Sequence, residues 1–230
     1  MCGRFSQEAT WQELRDHYAL IPTQPALNLA ARYNIGPLQQ ALIIRAHSNG
    51  REAAPAVFDL VPSNWKRPRK DKKFSTFNAK SETVASLRSF KDAWAAGQRA
   101  VLPVDGFYEW PRPKKPGTPP YYITAASGGR LQLAALWSRW FNPITKQDED
   151  TFAVLTSPPN ADMEAVPHHR SPVIIAEEAT EAWLCSRPEE AAGLLAPPPN
   201  GLFHLLRVTT YTNKIGNEGR QCIEGPITLL

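Results

Sequence analysis

The second residue of the chain is a cysteine, within the opening sequence MCGRF. Aminopeptidases usually remove an initiator methionine when the next side chain is small, and cysteine qualifies. The chain would then begin at Cys2, with an α-amine and a thiol on adjacent carbon atoms. Such a β-aminothiol condenses with an aldehyde, because the amine forms an imine and the thiol then closes onto the same carbon to give a thiazolidine. The alternative is that Cys2 has no function and lies on a flexible terminus, since chain ends are usually poorly ordered.

Three further polar side chains lie in short motifs: Asn78 in FNAKSET, Glu109 in DGFYEW and His168 in PHHRSP. A carboxyl group between aromatic residues can have its pKa raised by desolvation, which suits a proton donor. A histidine titrates near neutrality and can move a proton in the other direction. Each residue also has a structural interpretation, as a helix cap, a surface strand residue and an exposed loop histidine respectively. Only their combination indicates a site.

The elements that must position these residues are mostly short strands. We expect strands over 41–47, 54–61, 99–104, 121–124, 131–137, 152–156, 173–176 and 204–211. We expect helices over 6–18, 83–96, 177–185 and 189–195, the first with a capping box of Thr10 and Glu13. Many strands without regular βα alternation predict an α+β fold, mainly antiparallel sheet with a few peripheral helices. The length of 230 residues favours a single domain over residues 1–230.

Composition limits the classes of protein that this chain can be. It has no run of about 20 apolar residues, so we expect no membrane span, and the polar start of the chain indicates no signal peptide. Its three cysteines are widely spaced and form no CxxC pair, which argues against both a disulfide framework and a zinc site. We therefore expect a cytoplasmic protein that binds no metal.

The net charge of +4 is concentrated in one segment. The sequence NWKRPRKDKK, residues 64–73, contains six basic residues and one acidic residue. A local basic block favours a polyanionic partner such as nucleic acid more than an evenly basic surface does. The alternative is a solvated, flexible loop.

Five motifs occur in one order: MCGRF, RYNIGP, FNAKSET, DGFYEW and the H-x-R-x-P sequence that begins at His168. In this order they resemble the SOS response-associated peptidase (SRAP) family of abasic-site processing proteins, and TYTNKIGN at 210–217 is similar to the family's C-terminal motif. The resemblance implies a barrel-like fold and a monomer that needs no cofactor. It also implies recognition of abasic sites in single-stranded DNA and a covalent crosslink through Cys2. The same cysteine would remove Met1, and the protein would associate with the nucleoid when bound to DNA.

The resemblance also implies roles for individual residues. Asn78 would hold the cysteine and the sugar, Glu109 would help to open the deoxyribose ring and to reverse the adduct, and His168 would move a proton near the lesion phosphate. The positions expected to contact the DNA backbone are Arg4, Lys80, Arg88 and Arg170, with Trp65 available to stack on a flanking base.

The sequence departs from the family pattern at several positions. Phe58 and Asp59 replace the Trp and Gly of a W-G-x-x-P motif, and we expect an acid so close to a DNA groove to be unfavourable. Where relatives carry two aromatic residues in the following loop, only Trp65 remains. Lys80 stands where arginine is usual and loses the two-pronged phosphate contact. His169 replaces an acid, and the basic insertion at 66–73 is longer than typical.

Two alternative functions remain open from the sequence. A glutamine amidotransferase with an N-terminal nucleophile would also begin Met-Cys-Gly, and it would release ammonia from glutamine. A non-covalent single-strand-binding module would need no Cys2, and salt would fully reverse its binding. Neither alternative accounts for both the N-terminal cysteine and the basic segment.

Overall fold

The computed structural model describes residues 2–225. The strands within this range are β1 (Phe5–Gln7), β2 (Arg32–Ile35), β3 (Gln40–His47), β4 (Gly50–Phe58), β5 (Asn78–Lys80), β6 (Arg99–Val104), β7 (Gly106–Glu109), β8 (Tyr121–Ala125), β9 (Leu131–Asn142), β10 (Gln147–Ser157), β11 (Ser171–Pro172) and β12 (Phe203–Arg207). The α-helices are α1 (Trp11–Tyr18), α2 (Lys91–Ala95), α3 (Ala161–Ala165), α4 (Thr180–Cys185) and α5 (Pro188–Ala192). No helix within residues 2–225 is long and apolar enough to cross a membrane.

Five of the strands close into a barrel. Strands β4, β3, β6, β9 and β10 pair in that order, and each of these neighbours is antiparallel. The ring closes where β10 pairs with β4 in parallel, with Thr151 opposite Val57 and Phe152 opposite Phe58. The expected barrel-like α+β fold, mainly antiparallel with small peripheral helices, is confirmed.

A second, antiparallel sheet has the order β12-β8-β7-β1-β2. Alternate residues of the barrel strands point into two different cores because successive side chains on a strand face opposite sides. One core joins the barrel to the second sheet and contains Phe5, Phe58 and Phe107. The other is covered by helices that contribute Leu14 and Trp183. Burial of each large apolar side chain contributes about 1.5–3 kcal/mol to the free energy of folding.

The predicted helices differ most from the structure. The helix expected over 6–18 begins only at Trp11, although the Thr10–Glu13 capping box is confirmed. Residues 5–7 instead form the strand β1, because both of its edges pair with other strands. The helix expected over 83–96 is reduced to α2, preceded by turns. Of the apolar face that the periodicity suggested, Phe90 and Trp94 are buried in the helix-covered core, whereas Leu87 is 48% exposed, so only the C-terminal half of the face packs.

The strands β2, β5 and β7 were missed by sequence reasoning, and each is only three or four residues long. The interpretation of Asn78 as a helix cap is wrong, because Asn78 begins β5 and pairs in parallel with Val154 of β10. The strand predicted over 204–211 ends at Arg207, and that over 54–61 is the strand Gly50–Phe58.

Candidate active site

The N-terminal segment is held inside the second sheet. Phe5 and Ser6 of β1 pair with Phe107 and Gly106 of β7, and the Tyr108 amide donates to the carbonyl of residue 4 at 2.8 Å. Continuing this antiparallel register places Gly3 opposite Glu109, at the end of β7. Cys2 itself is 1% exposed. The terminal cysteine is therefore an ordered part of the core rather than a loose end.

Asn78 connects the barrel to this N-terminal segment. Its Nδ2 donates to the carbonyl of Cys2 at 2.9 Å and makes a longer contact of 3.4 Å with the carbonyl of Val154. Within residues 2–225, the buried Oδ1 of Asn78 has no hydrogen-bond partner. Leaving a buried acceptor unsatisfied costs about 1–3 kcal/mol, so the site holds an acceptor ready for a ligand donor.

Glu109 and His168 form a buried pair. Nε2 of His168 lies 3.1 Å from Oε2 of Glu109, and the two side chains are 0% and 4% exposed. Nδ1 of His168 lies 2.9 Å from the carbonyl of Arg170, which can only accept, so Nδ1 carries a proton. Nε2 is the ring nitrogen that faces the carboxyl group.

Burial fixes the charge of this pair. It raises the pKa of Glu109 to about 7, and it lowers the pKa of His168. Both directions favour the neutral forms, because burial disfavours charge on either group. The carboxylic acid of Glu109 then donates a hydrogen bond to Nε2 of His168. The site thus stores one transferable proton beside Cys2.

The Cys2 thiol is protonated in this environment. Burial and, second to it, the neighbouring Glu109 raise the pKa of the thiol far above its ordinary range. A thiol of this kind is a weak nucleophile until a base removes its proton, because the thiolate is the reactive form.

The four expected phosphate-binding residues occupy two different environments. Lys80 and Arg88 are exposed. Arg4 is buried and donates to the Oδ1 of Asn34 at 2.6 Å and to the carbonyl of Thr212 at 2.9 Å. These bonds tie the N-terminal segment to the C-terminal part of the chain.

Arg170 is also buried, and its guanidinium makes a two-pronged ion pair with Glu82 at 2.5 and 2.8 Å. This pair lowers the pKa of Glu82 to about 2. Arg170 further donates to the carbonyl of Thr156. Its planar fork is therefore already occupied by protein acceptors.

Two basic residues beside the site were missed by sequence reasoning. Lys114 places its Nζ 4.0 Å from the centre of the Trp110 ring, and the amide of Arg112 donates to the carbonyl of Pro167 at 3.0 Å. The positive charges of Arg112 and Lys114 lower the pKa of Glu109 and so partly offset the rise that burial causes. The signal was present in the sequence, because PRPKK follows DGFYEW directly.

The Trp65 ring is half-buried and lies against other side chains of the same loop. Its indole Nε1 donates to the carbonyl of Pro68 at 3.3 Å, and the guanidinium of Arg67 lies 4.6 Å from the ring centre. The Trp65 and Phe74 rings pack at a right angle, with 5.9 Å between their centroids. On the face of Trp65 that Arg67 covers, a base could stack only after Arg67 moved away.

The charge of Asp59 is paired within the protein. Asp59 is buried, accepts from the Nζ of Lys72 at 2.8 Å and accepts from the hydroxyl of Thr76 at 2.9 Å. The basic insertion thus supplies a cation that neutralises the unusual acid. Among residues 2–225 there is also no group of three or more histidine, cysteine or acidic side chains that could hold a metal ion.

Comparison with known proteins shows what the chain resembles. A family model described as SOS response associated peptidase (SRAP) matches residues 1–215. The chain is 28% identical to the abasic site processing protein YedK of Escherichia coli over 239 residues, covering 97% of this chain and 99% of that protein. It is 27% identical to the abasic site processing protein YoqW of Bacillus subtilis over 229 residues, with the same coverage.

Two solved structures are similar in fold. A crystal structure of a protein from Bacteroides thetaiotaomicron has a TM-score of 0.84 at 22% identity, covering 98% of this chain and 100% of that chain. A crystal structure of a protein from Bordetella bronchiseptica has a TM-score of 0.75 at 27% identity, covering 90% of this chain and 100% of that chain.

Proposed function

Because the chain belongs to the SOS response-associated peptidase family, we propose that it processes abasic sites in single-stranded DNA and captures them covalently through Cys2. Relatives of nearly the same length are named abasic site processing proteins. The observation that carries the proposal is the meeting of a buried N-terminal cysteine with a neutral acid–histidine pair. An abasic site exposes an aldehyde when its sugar opens, and an aminothiol is the group that condenses with it.

The first chemical step belongs to the α-amine of Cys2, which is exposed once Met1 is removed. An α-amine with a pKa of about 7.7–8.0 is about 10–20% unprotonated at pH 7, enough to attack the aldehyde carbon. The resulting carbinolamine loses its hydroxyl group as water when Glu109 donates a proton to it. A protonated imine (an iminium ion) remains, and Glu109 is left as a carboxylate.

The second step belongs to the thiol. The new carboxylate of Glu109 accepts the thiol proton, and the sulfur of Cys2 adds to the iminium carbon. This addition neutralises the nitrogen, which keeps its own proton, closes the thiazolidine and leaves Glu109 in its starting acid form. The order of the steps follows from the pKa of the buried thiol, since the thiol is unreactive until the first step has produced a base. The reverse sequence would release the adduct.

Substrate binding would use the remaining residues. The unsatisfied Oδ1 of Asn78 would accept from a sugar hydroxyl while its Nδ2 keeps hold of Cys2. Lys80 and Arg88 would contact phosphates directly. Arg4 and Arg170 would mainly position the site, because their guanidinium groups are bonded within the protein. A single strand presents the sugar without the cost of unstacking a duplex.

Removal of Met1 would employ the same cysteine. The sulfur of Cys2 would attack the carbonyl of residue 1, the peptide nitrogen would leave as the free α-amine, and water would hydrolyse the thioester. We further propose that the protein acts as a cytoplasmic monomer at the nucleoid. The amidotransferase alternative is not favoured by the relatives found, whose names refer to abasic sites.

The test is an adduct assay with an oligonucleotide that carries one abasic site. Wild type should give a product whose mass equals that of both partners less one water, stable to heat without reductant. Cys2→Ser should form only an imine, which heat removes unless borohydride reduces it first. The matched control is Cys185→Ser, which changes an exposed thiol and should behave as wild type. A heat-stable, reductant-independent adduct from Cys2→Ser, or none from wild type, would overturn the proposal.

A further inference from the structure

His169 is the exposed member of the two adjacent histidines in the loop before β11. Its ring packs against that of His168, with 5.1 Å between ring centroids and 37° between ring planes. The buried His168 contacts Glu109 through Nε2, so one histidine belongs to the inner pair and the other lies at the surface beside it. The two steps of adduct formation assign a proton to Glu109 and none to His169.

Three segments of the chain bring cations to this surface histidine. Arg170 follows it in the loop, and Lys80 lies at the end of β5, opposite Thr156 of β10. Arg170 donates to the carbonyl of the same Thr156, which places both cations at one point of β10. The segment after β7 joins them, because the amide of Arg112 donates to the carbonyl of Pro167 at 3.0 Å. The loop, β5 and this segment thus form one basic surface.

Only part of this positive charge is available to a ligand. Arg170 is buried, and both terminal nitrogens of its guanidinium are held by Glu82. Lys80 and Arg112 are exposed, and within residues 2–225 neither forms an ion pair. Exposed cations that the protein leaves unpaired are the usual contacts of DNA phosphates. His169 lies among them and can join them only when its ring is protonated.

The free protein favours the neutral form of His169. The positive groups that act on the ring are the N-terminus, Arg112, Arg170 and Lys80. Burial in the first place, and these charges in the second, lower the pKa of His169. The nearby acids oppose this little, because Glu82 is paired with Arg170 and Glu109 lies behind the His168 ring. A phosphate among the same cations would favour the protonated ring, since an opposite charge stabilises the charged form.

We propose that His169 takes up a proton when the DNA strand binds and then donates a hydrogen bond to a phosphate, together with Lys80 and Arg112. This inference rests on the proposed function, and it concerns the affinity for DNA rather than the chemistry of the adduct. It also gives a use to the departure from the family pattern, because the acid expected at this position could not supply a cation.

The sign of the pH dependence follows from the proton uptake. Affinity rises as the pH falls through the pKa that His169 has in the complex, and it levels off below the lower pKa of the free protein. A phosphate close to the ring should raise that pKa by about one or more. A difference of one corresponds to a tenfold change in the dissociation constant. His169 should therefore contribute a gain in affinity of about tenfold between pH 8 and pH 5.

The direct test is an NMR titration of the histidine rings of the whole protein. The protein is measured free and bound to a single strand with a stable abasic analogue that cannot crosslink, and the His169 signal is identified by its loss in His169→Gln. The pKa of His169 should lie below about 6.5 in the free protein and rise on binding. A neutral methylphosphonate, placed at each linkage around the lesion in turn, should abolish the rise at one linkage.

Affinity measurements on variants provide a second test. His169→Gln should lose about tenfold of the wild-type gain between pH 8 and pH 5, while the part that other groups cause remains. His169→Lys carries a fixed charge, so it should bind tightly at both pH values, whereas His169→Glu should bind more weakly than wild type at both. The matched control is His204→Gln, which changes an exposed histidine of β12 and should keep the full wild-type dependence.

Three results would overturn the inference: a pKa of His169 that does not rise on binding, equal pH dependence in wild type and His169→Gln, or a rise that no methylphosphonate removes. An adduct assay with reactive abasic DNA separates this inference from the proposed function. A normal adduct with no rise in the pKa of His169 would refute the inference alone. A clear rise with no adduct from wild type would refute covalent capture and leave the phosphate contact standing.

Discussion

Glu109→Gln removes the stored proton and changes how adduct formation depends on pH. Burial raises the pKa of Glu109 to about 7, so its acid form predominates below pH 7 and is lost as the pH rises above it. The α-amine behaves in the opposite way, because its reactive form appears only as the pH rises through about 7.7–8.0. The wild-type rate requires both forms together and should therefore be bell-shaped.

The magnitude follows from these two pKa values. The product of the two fractions is greatest near pH 7.4 and is about twentyfold lower two pH units to either side. In Glu109→Gln the fall of the rate at high pH is gone, so the rate should rise with pH and level off above the pKa of the amine. At pH 7.4 the variant should be slower by about 10²–10⁴, the usual contribution of a general acid.

The assay is a single-turnover time course on a denaturing gel, from pH 5.5 to 9.5, with DNA in excess of its dissociation constant. Glu178→Gln serves as the matched control, because Glu178 is an exposed carboxylate on the short turn before α4. It should reproduce the wild-type bell. A bell of unchanged width and height in Glu109→Gln would show that the carboxyl group donates no proton, and the assigned sequence of steps would be wrong.

Two further predictions concern the N-terminus and the basic insertion. An uncleavable extension ahead of Cys2 should leave DNA binding intact but abolish crosslinking, since an acylated nitrogen forms no imine; crosslinking at wild-type yield would exclude the amine. Lys72→Met should destabilise the protein by about 3–5 kcal/mol in urea denaturation, because it leaves the buried Asp59 charge unpaired. Adding Asp59→Asn should restore most of that loss, whereas breaking the exposed Arg187–Glu190 pair should cost less than about 1 kcal/mol. Equal losses at both pairs would refute this difference.

The sequence indicated which polar residues meet better than it indicated the helices. Cys2, Glu109 and His168 were singled out by the family motifs that carry them, and in the structure Glu109 contacts His168 and lies beside Cys2. The class of fold was also predictable, since most barrel strands are long runs of buried residues, such as Arg99–Val104. Periodicity detects such runs well, because it needs several consecutive residues to define a face.

The elements and contacts that the sequence did not predict depend mostly on residues distant in the chain. β5 is three residues long and exists because β10 pairs with it from 76 residues away in the chain. The neutralisation of Asp59 by Lys72, 13 residues away, likewise depends on how the loop folds, and the covering of Trp65 by Arg67 is a local contact that the residue types alone do not reveal. Local sequence shows the charges and the aromatic ring but not which of them remain available to a ligand.

The position of β1 between β2 and β7 also limits how long the N-terminus stays accessible during synthesis. Cys2 leaves the ribosome first, yet the β7 residues that enclose it are made about 100 residues later, which takes about 5–20 s at 5–20 residues per second. During that interval the N-terminus is open to cellular aminopeptidases. After β7 joins the sheet, Cys2 is enclosed, with 1% of its surface exposed. Under the proposed function, a molecule that still carries Met1 at that point would depend on its own cysteine to expose the α-amine.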